Sequence, residues 1–159
     1  MIFIEIATWV LRIFGVLYLI GGLFMARQMW FWARITPSMA KFGEAVRSFN
    51  AEFGESTEAA EELAETDRNR PWWLFAGALI TAAAGLAMML AHRLAVPLLA
   101  AIIVHQLLYF VRQRRRELAA KTPDAAAEAR IDNATINGFF AALVMAVLAA
   151  WLYHEGALA

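Results

Sequence analysis

Three stretches of this chain are apolar almost without relief. Trp72 to Ala91 runs for 20 residues without a charge, Leu94 to Val111 for 18 with His105 and Gln106 as the polar interruption, and Ala134 to Tyr153 for 20. A bilayer core of about 30 Å is crossed by about 20 apolar helical residues, so each stretch predicts a transmembrane helix. The N-terminal stretch is broken by charge. Only 14 uncharged residues separate Arg12 from Arg27, too few to span unaided. The first helix must therefore carry one or both arginines within its length, their stems snorkelling towards an interface. Trp9 then marks one interfacial belt, and Trp30 with Trp32 the other. The pattern predicts an all-α, integral membrane four-helix bundle with helices near residues 4–32, 72–91, 94–111 and 134–153.

The connections refine this picture. Ala91-His92-Arg93-Leu94 allows only a tight turn, which makes helices two and three antiparallel neighbours; Pro97 falls in the first turn of helix three, where its missing N–H costs nothing. Four crossings place the loops 33–71 and 112–133 on one side. With Arg27, these loops hold 12 of the 14 Lys and Arg residues, all but Arg12 and Arg93. The positive-inside rule assigns that side to the cytoplasm and leaves both termini periplasmic. Within the first loop, Thr36-Pro37 reads as a helix cap followed by a first-turn proline. Met39, Phe42, Val46, Phe49 and Phe53 then recur at helical spacing, so an amphipathic loop helix is expected from Pro37 to Phe53, against lipid or beneath the bundle. Glu55 to Asp67 reads as a solvated acidic helix. Thr122-Pro123 repeats the cap signal, so helix four is expected to start below the membrane.

Composition agrees with the pattern. The chain is 62% AVILMFWYC, with mean hydropathy +0.55, against roughly 45–50% apolar in soluble domains. Its 159 residues form one domain of net charge 0, so no overall field invites nucleic acid. Cysteine is absent, which removes disulfides, thiolate metal sites and cysteine nucleophiles. The apolar N-terminus lacks a basic leader, and Arg27, Trp30 and Trp32 stand where small cleavage-site residues belong, so it is read as retained. The alanine-heavy composition suits a GC-rich bacterium and hence its inner membrane.

Candidate chemistry is sparse. Glu5, Thr8, Arg12, Gly15, Leu19 and Gly22 share one stripe of helix one, on which Gly15 and Gly22 are the positions a neighbouring helix can approach most closely; it frames either a polar pocket open to the outside or an interfacial Glu5 with a snorkelling Arg12. Gly77, Thr81 and Gly85 form a small-residue face on helix two, for packing within the bundle or for a homo-oligomer. His105 and Tyr109, with Gln106, approach Asn137 of helix four in the cytoplasmic half. Together these residues are candidates to bind a quinone head, a lipid or a small polar solute, with Arg27 and Gln28 nearby, or to form ordinary interhelical hydrogen bonds. Arg112-Gln113-Arg114-Arg115-Arg116 is a basic juxtamembrane cluster that attracts anionic headgroups. No metal site or cofactor is expected; a bis-histidine haem site fails because His92, His105 and His154 are not paired at membrane depth.

Leu11-Arg12-Ile13-Phe14-Gly15-Val16-Leu17-Tyr18-Leu19-Ile20-Gly21-Gly22 resembles the first helix of the DoxX-like family of small four-helix bacterial membrane proteins. The passage from Gly85 through His92-Arg93 to Leu94 is similar as well. Where that family places a lysine after the last glycine, this chain has Leu23-Phe24-Met25-Ala26-Arg27. The resemblance implies a four-helix bundle and links to quinone-related electron transfer or to membrane complexes. Arg130, Asn133 and Asn137 faintly match the pattern of the four-helix glutathione-handling enzymes, but the glutamate their pattern needs is missing from helix four. The leading expectation is a non-enzymatic accessory protein that packs against a membrane partner. The alternative is a small transporter or quinone-linked redox accessory using the polar residues inside the bundle.

Overall fold

The computed structural model describes residues 2–52, 70–120 and 123–159. They form five helices: α1 (Ile2–Glu52), α2 (Arg70–Met89), α3 (Ala95–Ala119), α4 (Pro123–Ala129) and α5 (Asn133–His154). Among the described residues there is no strand. Four segments are long and apolar enough to cross a membrane: Ile2–Trp32, Trp72–Met89, Ala95–Ala119 and Asn133–His154. The fold is an all-α four-helix membrane bundle, with α1 against α2, α2 against α3, α3 against α5, and a thinner contact closing α5 onto α1.

Three boundaries differ from the sequence pattern. The segment 33–71, expected as a loop with its own helix, begins as a direct continuation of α1 to Glu52. Pro37 thus lies inside a helix rather than at the start of one; its missing N–H leaves the Ala33 carbonyl without a helical partner. The side chains of Met39, Phe42, Val46 and Phe49, and Phe53 altogether, lie outside the described residues, as does the Glu55–Asp67 stretch. The segment 112–133 is also more helical than expected. α3 runs on to Ala119, because Arg, Gln, Glu, Leu and Ala are good helix formers and Arg114 pairs with Glu117 one turn on, at 2.7 Å. Finally, Pro123 opens the separate short α4 instead of the fourth span. That span starts at Asn133, where the Asp132 carboxylate accepts the Thr135 N–H at 2.6 Å as an N-cap.

Each end of the bundle has its own character. At the end that carries both termini, Leu11, Met88, Leu99 and Leu152 are fully buried in a cluster completed by Ala84, Ala95 and Ala149. Two helix ends there close in the same way. In α5 the Ala157 N–H donates to the Leu152 carbonyl and the Gly156 N–H to Tyr153, with Gly156 at φ 69°. In α2 the His92 N–H donates to Ala87 and the Ala91 N–H to Met88, with Ala91 at φ 49°. Both are Schellman caps. The caps then meet: the Arg93 N–H donates to the Ala159 carbonyl and the Ala159 N–H to Ala91, which ties the C-terminal segment over the α2–α3 turn.

At the opposite, loop-bearing end the packing is aromatic. Trp30 lies against Trp72 at 5.9 Å and Phe75 at 5.5 Å between ring centroids. On α1 two tryptophans each hold an arginine, Arg12 over Trp9 at 5.5 Å and Arg34 over Trp30 at 4.5 Å. The 21-residue interval between those tryptophans spans about 32 Å of helix, which matches a hydrocarbon core of about 30 Å.

Candidate functional site

The seam between α1 and α2 brings backbones into contact. A Cβ on Gly15 would sit 2.8 Å from the Gly85 carbonyl oxygen, and one on Gly85 would sit 2.7 Å from that of Gly15. Farther along, a Cβ on Gly22 would meet the Ala82 nitrogen at 2.5 Å and the Ala78 oxygen at 2.9 Å. Gly15, Gly22 and Gly85 are therefore consumed inside the bundle, where only hydrogen at Cα permits so close an approach.

Gly77 plays a different part. A Cβ there would lie 2.6 Å from Cε1 of His105, so the missing side chain is the space that the imidazole occupies. One turn earlier on α2, Trp73 stacks on the same ring, with centroids 4.5 Å apart and planes at 17°. His105 is thus fixed by two residues of α2 spaced four apart, one a void and the other a flat wall.

Below the dense cluster a cavity of about 230 Å³ opens in the loop half of the bundle. α1 contributes Gly22 and Met25, α2 contributes Gly77 and Thr81, and α3 contributes His105, Gln106 and Tyr109, with Thr135 of α5 at the edge. Its polar groups are neutral amide, phenol, hydroxyl and imidazole. The Thr81 hydroxyl donates to the Gly77 carbonyl at 2.9 Å, so towards the cavity it offers lone pairs alone. His105 Nε2 and Gln106 Oε1 are buried and have no hydrogen-bond partner among the described residues, and Trp73 Nε1 shares that condition. Leaving such a group unsatisfied costs about 1–3 kcal/mol, so the wall is built to receive a polar atom. By volume the space holds about eight waters, and it exceeds the roughly 150 Å³ that accommodates benzene in an apolar cavity.

The remaining sequence candidates fall elsewhere. Glu5 is exposed on α1. Arg12 is half-buried and turns its guanidinium over Trp9, while its Nε is buried without an acceptor among the described residues. Asn137 is exposed and stands apart from the cavity, whose α5 wall is Thr135 instead. Arg27 and Gln28 are exposed and do not line it. Trp73 was invisible as a site residue in sequence; its only signal is its position four before Gly77. Among the described residues, no three His, Asp or Glu side chains cluster as metal ligands.

Comparison with known proteins leaves the site to speak for itself: no family model, curated protein or solved structure matches the chain.

Proposed function

We propose that this chain is a multi-pass protein of the bacterial inner membrane that holds a neutral, hydroxyl-bearing ring amphiphile, such as the reduced head of a quinone, in its intramembrane cavity. The observation that carries this reading is the pair of buried, unpartnered acceptor-capable atoms, His105 Nε2 and Gln106 Oε1, on a cavity wall shaped by Gly77. A ligand with hydroxyl groups on a six-membered ring can donate to both acceptors, and it fits the volume and the absence of charge among the lining side chains. The likeness of Leu11–Gly22 to DoxX-like proteins, some of them linked to quinones, supports the same direction. The distribution of arginines favours a cytoplasmic loop-bearing end.

Saturable binding of a short-chain benzoquinol, kept reduced, by the purified protein is the test. His105→Leu is expected to weaken that binding at least tenfold with helix content unchanged. Binding that does not saturate, or that survives the substitution, removes the proposal.

A second reading, an accessory protein that docks on a membrane partner, is favoured by a different observation. Asn137 and Gly138 are exposed side by side on α5, with nothing within 4 Å of a Cβ on Gly138. Polar and small residues on a lipid-facing helix are association signals. Cross-linking through a cysteine at Gly138 to a second polypeptide, lost on Asn137→Leu, is the result that would favour it.

A further inference from the structure

α3 carries two apolar side chains and three arginines along one face as it leaves the membrane. Leu108 and Val111, each about half exposed, lead down to Arg112, Arg115 and Arg116, and Trp73 of α2 closes the side of a groove of about 540 Å³. Positions 108, 111, 112 and 115 repeat at helical spacing, so the groove is a property of one helix face. Its level is that of the aromatic belt at the loop end, where Trp72 joins Trp30.

Among the described residues, no carboxylate pairs with Arg112 or Arg115 on this face. Glu117 is engaged by Arg114, which lies on the other side of α3, at 2.7 Å. Arg116 donates to Gln113 Oε1 at 3.1 Å. Arg112 and Arg115 have no carboxylate partner among the described residues. Two guanidinium groups one turn apart, at the foot of an apolar trough at the membrane surface, present the fork geometry that receives a phosphate.

We infer that the groove between Trp73 and α3 binds one anionic glycerophospholipid, its phosphate between Arg112 and Arg115 and an acyl chain along Leu108 and Val111. Charge complementarity selects the headgroup, and the apolar upper part of the groove selects a lipid over a free anion. The site stands beside the cavity without sharing its lining: Trp73 faces the groove and stacks on His105, and it is the His105 side that faces the cavity. The inference is therefore independent of what the cavity holds.

The full chain, purified in mixed micelles of phosphatidylglycerol and phosphatidylcholine, is examined by native mass spectrometry for retained lipid. Wild type is expected to retain phosphatidylglycerol in preference to phosphatidylcholine. Arg112→Gln and Arg115→Gln are each expected to reduce that preference about fivefold. Arg114→Gln, which removes the same charge from the other face, is expected to leave it unchanged. An equal loss in Arg114→Gln reduces the effect to general attraction and overturns the site. So does retention that persists in the double variant Arg112→Gln/Arg115→Gln. A separate arm needs no variant: inorganic phosphate at millimolar concentration is expected not to displace the lipid from wild type, and displacement would assign the arginines to a free anion instead.

Discussion

Leu11, Met88, Leu99 and Leu152 fill the middle of the bundle at the end that carries both termini; at the same position in the other half lies a cavity walled by His105, Gln106 and Tyr109. Both halves are built from the same four helices and the same apolar alphabet. The difference comes from what each helix brings inwards. In the terminal half, leucine and methionine interdigitate with alanines that let the helices close up. In the loop half, α2 and α3 offer glycine, threonine and imidazole, which do not fill the space between them. Inside lipid, where apolar side chains gain little by leaving the hydrocarbon, packing contacts decide stability. The terminal half is accordingly the part that holds the fold, and the loop half is free to hold something else.

The largest test of this contrast is Leu99→Ala. It is expected to destabilise the protein by about 2 kcal/mol, at the low end of the range for soluble cores, because lipid competes for the same side chain; unfolding in mixed detergent would measure it. A negligible loss would dissolve the distinction between the halves. Thr81→Leu probes the other side. Filling the cavity is expected to raise stability by roughly 0.5–2 kcal/mol while abolishing quinol binding, and a loss of stability would mean that the cavity is already occupied by groups that cannot yield.

Smaller effects sharpen the comparison at the helix ends. Asp132→Ala removes the cap of α5 at the loop end and is expected to cost about 1 kcal/mol. The hydrogen bonds from Thr135, first that of its side chain, hold the Asp132 carboxyl below its usual value of 3.8. Because the folded-state pKa is depressed, this contribution is present above about that pH and disappears as the pH falls through the lowered value; a stability profile of wild type against Asp132→Ala should converge only in that acid range. Ala91→Gly acts at the terminal end. Relief of a left-handed alanine, worth about 1–2 kcal/mol, is offset by about 0.5–1 kcal/mol of backbone entropy, so a net gain of roughly 0.5 kcal/mol is expected in the same unfolding assay.

Much of the architecture is legible from residue order because the bilayer imposes a length. Runs of 18 to 20 apolar residues leave few alternatives to spanning helices, and Ala91–Leu94 admits only a turn. The boundaries outside the membrane are less legible. Nothing in Thr36-Pro37 tells whether a proline starts a helix or sits inside one, since its fixed φ suits both. The seam glycines were readable as a close-packing stripe, yet their partners were not, because a stripe does not name the helix it meets. His105 and Tyr109 share a helical face and could be grouped by period alone. Asn137 could not be separated from Thr135 in this way: the two sit two residues apart on α5, and the rotation of α5 about its own axis decides which of them reaches the cavity. Trp73 depends on a contact between two helices, which no periodicity within either one reveals.

The two tryptophan–arginine pairs on α1 also act as a ruler with a fixed reading. About 32 Å of helix fits a core of about 30 Å when the helix leans by roughly 20°, the usual inclination of a spanning helix. Beyond Trp30, α1 continues for 22 residues to Glu52, roughly 33 Å more. A thinner bilayer asks for a steeper lean, and an extension of that length turns a few degrees at the anchor into several ångströms of sideways travel at its tip. Spin labels at Glu52 and at the start of α4 are expected to change separation when the protein moves from long-chain to short-chain lipid, with Pro37 setting how much of the lean reaches the tip.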